Sequence, residues 1–248
     1  MKRLLLAVPM VMLLVSVAVS QDKPWTEWTK EQADKILNHS AWGQTQTDTD
    51  TSEMVYSPTS TPGSSGAAAT RADRLSVNAS RVSQGAVNQA VTVNYRIRLL
   101  SAKPVREAFM RMVSLAQTNV DQQTLDGLQA FVDRDFSSFI IVAVDLDATD
   151  RRFSGPALQA FATATIGTLK NKTYLERKDG KRLYLTQYRE PINDRLGAKF
   201  IFPRVVEGQP FLNADSGTVR FVSEVNNEIK LNVTFKLSEM IYRGQLEY

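Results

Sequence analysis

The sequence predicts an α+β fold, a mainly antiparallel sheet with helices packed on one face, preceded by a tryptophan-rich helical arm. Two observations predict this class. Strand-like and helix-like patterns alternate from Val91 to Leu169, as expected when helices connect strands that pack into one core. From Thr173 onwards, strand-like segments are separated by short turn sequences, which is typical of antiparallel hairpins.

The first strands and helices follow from hydrophobic periodicity. Apolar and polar residues alternate over Val91–Leu99, which predicts a half-buried strand. Pro104 opens a helix at a position where its missing N–H is harmless, and Asp121 is a good N-cap for a second helix. The continuous apolar run Phe139–Val144 predicts a central strand covered on both faces. Apolar residues at helical spacing over Gly155–Leu169 predict another helix.

Two hairpins are predicted in the second half of the chain. Asp179-Gly180 lies between TYLERK and KRLYLTQY, and both turn residues tolerate the positive φ of a type I′ turn. Asn226-Asn227-Glu228 separates GTVRFVSEV from IKLNVTFKL in the same way. The segment AKFIF adds a further strand candidate.

The N-terminal arm contains every tryptophan of the chain. Thr29 with Gln32 three positions later forms a capping box, which predicts a helix from Lys30 to about Asn38. A helix this short is unstable alone in water, so its apolar side needs a surface. The aromatic residues flanking it are ligand or docking candidates, and they either dock on the chain's own domain, which we favour, or stack on a glycan: Trp25, Trp28 and Trp42.

The domain organisation follows from composition. Residues 1–20 combine two basic residues, an apolar run and an Ala-x-Ser site, which predicts a cleaved signal peptide and an exported, periplasmic or extracellular protein without a transmembrane segment in the mature chain. Residues 21–56 form the arm, 57–74 a flexible Ser/Thr/Pro/Gly linker, and 75–248 the α+β domain. The chain has no cysteine, so disulfides and thiolate metal sites are excluded.

Charge and motifs exclude several classes of function. The formal charge of +4 falls to +2 once Lys2 and Arg3 are removed with the signal, which argues against a nucleic-acid partner. The sequence contains no phosphate-binding glycine loop, no dinucleotide fingerprint and no zinc-protease motif, so we expect no cofactor. His39 is the only histidine, and its position at a helix C-terminus favours a structural role. No catalytic residue is assigned.

An acidic cluster gives the alternative hypothesis. Asp145 and Asp147 end the predicted central strand on the same side, and Asp150 follows. Such oxygens suit Ca²⁺ or Mg²⁺, and two carboxylates can also act as acid and base in glycoside hydrolysis. The favoured interpretation is a strand leaving the core for solvent, because the glycine and glutamate of a calcium loop are missing. No metal site is therefore assigned.

Two segments carry a family resemblance. WTEWTKEQADKILNHSAWGQT near the N-terminus and FKLSEMIYRGQLEY at the end resemble an uncharacterised group of secreted bacterial proteins with paired tryptophans. Ala41 stands where that group often has proline. The resemblance implies a bacterial envelope context but no activity. We therefore predict a non-enzymatic protein with a structural or interaction role, its partner an envelope protein or a glycan; the alternative is a secreted hydrolase or glycan-binding protein using Asp145, Asp147 and the tryptophans.

Overall fold

The α+β class is confirmed by a computed structural model, which describes residues 23–50, 91–118, 120–148 and 151–248. The predicted signal peptide, the predicted linker and Asp150 lie outside these residues. The described helices are α1 Lys30–Asn38, α2 Lys103–Leu115, α3 Gln122–Val132, α4 Arg151–Thr163 and α5 Ile166–Leu169. The described strands are β1 Gly43–Asp50, β2 Val91–Leu99, β3 Phe139–Ala148, β4 Thr173–Arg177, β5 Arg182–Tyr184, β6 Gln187–Arg189, β7 Ala198–Pro203, β8 Val205–Val206, β9 Gln209–Pro210, β10 Thr218–Glu224, β11 Lys230–Lys236, β12 Ile241–Tyr242 and β13 Gln245–Leu246.

Most of these strands belong to two antiparallel sheets. In the described residues the main sheet has the order β1-β2-β3-β7-β6, and the second sheet has the order β11-β10-β4-β5. The apolar run of β3 occupies the centre of the main sheet, between β2 and β7, as its sequence predicts. Its residues from Ile140 to Val144 are all buried, as expected for the central strand of a sheet.

The two sheets face each other and enclose the inner part of the core. The ring of Phe221 on β10 lies 5.4 Å from the ring of Phe200 on β7, centroid to centroid. The chain passes directly from β5 in the second sheet to β6 in the main sheet, so one pair of edges is joined covalently. The other pair is joined by the Gln46 side chain of β1, which accepts from the Asn232 N–H and donates to the Lys230 carbonyl of β11, both at 2.8 Å. β1 and β11 belong to different sheets, so these side-chain hydrogen bonds connect the two edges in place of backbone pairing.

The arm is part of the domain in the residues described. β1 pairs with β2 over eight residues, from Gly43 opposite Arg98 to Asp50 opposite Val91. The described residues of the predicted arm, 23–50, therefore include a strand of the main sheet. β1 was not predicted, because GQTQTDTD is polar on both faces and has no hydrophobic alternation.

The helices cover both faces of the main sheet unequally. α1 packs on its outer face, where the buried guanidinium of Arg98 on β2 donates to the Leu37 carbonyl at 3.1 Å, and α2 packs against α1. α4 instead contacts the inner face, where Phe161 packs on Tyr95 and its carbonyl accepts the Tyr188 hydroxyl at 2.6 Å. The predicted helix over Gly155–Leu169 is divided into two: α4 ends at Thr163, and α5 begins at Ile166. No described helix is long and apolar enough to cross a membrane.

Both predicted hairpins form, but the first has a different turn. Gly180 has a positive φ of 83°, whereas the φ of Asp179 is not positive. The Gly180 N–H donates to the Arg177 carbonyl at 2.9 Å, which closes a tight turn one residue earlier than predicted. The predicted type I′ turn is therefore wrong. The chain uses a three-residue connection with glycine in the left-handed position, which is the next most common hairpin geometry.

Candidate functional site

All three indole rings lie inside the protein. Trp28 is 0% exposed, and Trp25 and Trp42 are also buried. Trp25 donates its indole N–H to the Gln129 side chain of α3 at 2.9 Å, and the Trp28 carbonyl accepts the Arg111 guanidinium of α2 at 2.6 Å. The predicted capping box of Thr29 with Gln32 is present and starts α1. The arm thus docks on helices of its own chain, the arrangement that the short helix requires.

Trp42 connects the arm to the last residues of the chain. Its indole N–H donates to the Glu247 carbonyl at 2.7 Å, and its ring meets Tyr242 edge to face, with 6.3 Å between centroids. A buried indole needs such a hydrogen-bond partner, and here the partner is 205 positions away in sequence. Because these faces are covered by protein, the tryptophans offer no stacking surface to a glycan in this conformation.

The predicted acidic pair is engaged by arginines. Asp145 and Asp147 lie on the outer face of the main sheet, opposite Arg96 and Asn94 of β2 in the ladder. Arg96 bonds the Asp147 carboxylate, and the Asp145 carboxylate lies 3.9 Å from both Arg96 and Arg98. Burial raises the pKa of Asp145 above its ordinary value of 3.8, with Arg98 acting in the opposite direction.

The acidic pair therefore lies in an ion-pair cluster at the end of a strand, which differs from the predicted simple exit into solvent. Its carboxylate oxygens already have cationic partners, so a bound cation would have to compete with two guanidinium groups. Among the described residues, no group of three or more His, Asp or Glu side chains could hold a metal ion.

His39 lies beside this cluster at the rim of a polar depression. It is exposed and forms the C-cap of α1, as predicted. The depression has a volume of about 370 Å³, and none of the described residues that line it is Phe, Tyr or Trp: Asp34, Asn38, His39, Thr45, Thr47, Asn94 and Arg96. Its donors and acceptors suit water or sugar hydroxyls, but its surface is mostly polar and offers little apolar area to drive binding.

A second cleft was not predicted from the sequence. It has a volume of about 410 Å³ and opens on the outer face of the main sheet where α1 and α2 do not cover it. Its floor contains Ile141 of β3 and Ile201 of β7, which are directly paired in the ladder. We call it the apolar cleft. Its position on the sheet and its apolar floor are typical of a preformed binding site.

Two connecting segments form the walls of the apolar cleft. The first wall is the end of α3 and the following loop, with Phe131, Arg134 and Phe136; the second is the connection from β6 to β7, with Ile192 and Leu196. Two large apolar side chains are exposed at its edges, Phe139 at 38% and Ile192 at 62%. Exposed apolar groups on both sides of one depression mark it as a contact surface.

The cleft is also charged at its rim. Its described lining includes three cationic and two anionic side chains, which gives a formal charge of +1: Arg134, Arg189, Lys199, Asp135 and Asp194. Lys199 is paired with Asp194 at 2.7 Å. Neither Arg134 nor Arg189 forms an ion pair with another described residue. Asp135 accepts hydrogen bonds from Ser137, which lower the pKa of its carboxyl. The rim thus favours an anionic group on the bound molecule.

No protein-family model matches the chain, and neither the curated proteins nor the solved structures contain a match. The resemblance to the secreted bacterial group therefore stays a prediction. The function is inferred from the geometry of the chain's own residues.

Proposed function

We propose that this protein is an exported, non-enzymatic binding protein and that the apolar cleft is its binding site. The observation that carries the proposal is a depression of about 410 Å³ with an apolar floor and exposed apolar side chains at its edges. Burial of apolar surface is the main driving force for association, and a concave site removes most of a small partner's surface from water.

The wall formed by residues 190–197 is held in place before any partner binds. Asp194 accepts the Leu196 N–H at 2.9 Å and pairs with Lys199, so one carboxylate fixes both ends of the turn. Gly197 has φ of 75°, and its Cα packs so closely on β3 that an added Cβ would lie 2.1 Å from the Val144 carbonyl oxygen. A rigid wall lowers the entropy cost of binding because little has to be ordered.

Export is supported by the sequence. Residues 1–20 have the charge, apolar core and small-residue site of a signal peptide, and the chain contains no cysteine to require a reducing compartment. The resemblance to secreted bacterial proteins belongs to the same proposal. An exported protein with an open apolar cleft would meet its partner in the envelope or outside the cell.

The hydrolase and glycan-binding alternative receives less support from the same structure. It requires Asp145 and Asp147 to face a substrate, whereas both carboxylates contact arginine side chains of β2. It also requires exposed indoles, whereas Trp25, Trp28 and Trp42 are buried. We therefore place binding in the apolar cleft.

The neutral fluorescent probe phenylnaphthylamine tests the proposal. We expect saturable binding with enhanced emission, and we expect Ile192→Glu to weaken it about tenfold or more by removing apolar contact and adding charge. Leu158→Glu is the matched control, because Leu158 is 46% exposed on α4 and does not line the cleft. Absence of saturable binding, or equal weakening by both variants, would contradict the proposed function.

A further inference from the structure

We infer that the apolar cleft binds a free single-chain amphiphile with one negative charge, such as a long-chain carboxylate. The inference rests on the proposed function, because it specifies the ligand of the same site. Three features of the described residues support it: the change from apolar to charged residues along the floor, the charge at one end of the floor, and the hydrogen bonding of the floor's backbone.

The floor changes from apolar to cationic along β7. Alternate residues of a strand face the same side, so every second residue pair of the ladder forms one row of the floor. In order, the rows are Phe139 with Pro203, Ile141 with Ile201 and Gln187, and Lys199 with Arg189. Three rows span about 13 Å, at roughly 3.3 Å per residue. The floor is thus an elongated surface with an apolar end and a cationic end, which matches an amphiphile.

The cationic end has one uncompensated charge. Lys199 is held by Asp194 at 2.7 Å and by the Gly197 carbonyl at 3.1 Å, so this pair is already neutral. Arg189 is exposed and has no ion-pair partner among the described residues. On the facing wall Arg134 lies over the Phe131 ring, 5.7 Å from its centroid, and the lining residues Arg134 and Asp135 together carry no net formal charge. A planar guanidinium binds a carboxylate through two parallel hydrogen bonds, so Arg189 provides the head-group site.

The backbone of the floor favours a hydrocarbon chain over a peptide. β3 and β7 are paired with strands on both sides, so the part of the floor at Ile141 and Ile201 presents side chains rather than free backbone groups, and only β6 is an edge strand. A peptide lying across Ile141 and Ile201 would bury its own N–H and C=O groups without hydrogen-bond partners, which is unfavourable for each group. A methylene chain has no polar group to desolvate.

Displacement of bound phenylnaphthylamine by twelve-carbon amphiphiles below their micelle concentrations tests the inference. Laurate should displace the probe at a concentration about tenfold lower than dodecanol, and dodecyltrimethylammonium should be weaker than both. Arg189→Gln should reduce laurate to the level of dodecanol and leave dodecanol unchanged. Arg195→Gln is the matched control, because Arg195 lies in the same connection but does not line the cleft, and it should leave laurate binding unchanged.

The outcomes separate the two proposals. If the probe binds but laurate displaces it no better than dodecanol, the amphiphile assignment is overturned while the binding cleft stands. If neither the probe nor any amphiphile binds, both are overturned. A dimer in solution that Ile192→Glu converts to a monomer would show that a second copy of the chain covers this face, which would also overturn the amphiphile assignment.

Discussion

Replacing Trp28 by alanine tests whether the arm is an integral part of the core. Trp28 is completely buried, its indole N–H donates to the Lys23 carbonyl at 3.2 Å, and its own carbonyl accepts from Arg111 of α2. A buried tryptophan removes about 150–250 Å² from water, which corresponds to roughly 4–6 kcal/mol at about 25 cal/mol per Å². Because alanine keeps part of that burial, we expect a loss of about 3–5 kcal/mol.

Urea denaturation followed by both tryptophan emission and far-ultraviolet circular dichroism measures this loss. With a slope of about 1–3 kcal/mol per molar urea, the midpoint should fall by about 2 M. The two probes should give coincident transitions, because β1 ties the arm to the main sheet through its ladder with β2. The wild-type emission should be blue-shifted, since all three indoles are buried.

Leu158→Ala is the control for this measurement and should change stability by less than about 1 kcal/mol, because Leu158 is 46% exposed. The reasoning would be refuted by a Trp28→Ala protein as stable as wild type. It would also be refuted by an emission transition that precedes the circular dichroism transition, which would show that the arm detaches while the sheet stays folded.

Three further predictions follow from particular contacts. Gly197→Ala should lower the free energy of unfolding measured in urea by about 3 kcal/mol or more, because Gly197 has φ of 75° and lies close to the Val144 carbonyl. Gly208→Ala is the control: Gly208 has φ of 77° but open space around it, so the loss should be only about 1 kcal/mol. Equal losses would contradict the close packing at Gly197. Burial raises the pKa of Glu107 in the folded protein above 4.5, so ionising this carboxyl lowers the free energy of unfolding. This loss is absent below about pH 4 and develops as the pH rises through the raised pKa. The stability of Glu107→Gln relative to wild type should therefore increase from about pH 4 to about pH 7, and a relative decrease would disprove the burial argument. Millimolar calcium or magnesium should leave the melting temperature unchanged, and a rise that Asp147→Asn removes would reveal a cation site.

Features with local sequence signals were predictable. The capping box of Thr29 with Gln32 starts α1, and the predicted end at Asn38 is also the observed end, because these signals lie within one or two turns of chain. The alternation of Val91–Leu99 identified β2 in the same way. β1 was missed because GQTQTDTD is polar on both faces, and no periodic pattern indicates that its Gln46 side chain bonds β11.

The apolar cleft was missed for a different reason. Its walls come from residues 131–136 and 190–196, and only the pairing of β3 with β7 and of β7 with β6 brings them to the same face. The apolar side chains Ile141 and Ile201 looked like ordinary core residues, and the sequence does not show which part of a sheet face the helices leave uncovered. Conversely, the tryptophans were conspicuous in the sequence because they are large and rare. In the structure they are buried and pack the arm against the rest of the chain.

Photoaffinity labelling with a diazirine-bearing long-chain carboxylate identifies directly whether the apolar cleft is the binding site. After irradiation and proteolysis, mass spectrometry identifies the labelled residues. We expect labels within residues 131–141 and 187–201, which contain most of the lining residues of the cleft, and we expect these labels to be lost when excess laurate competes. Labels confined to the arm or to the second sheet, or labels that laurate does not suppress, would contradict this assignment.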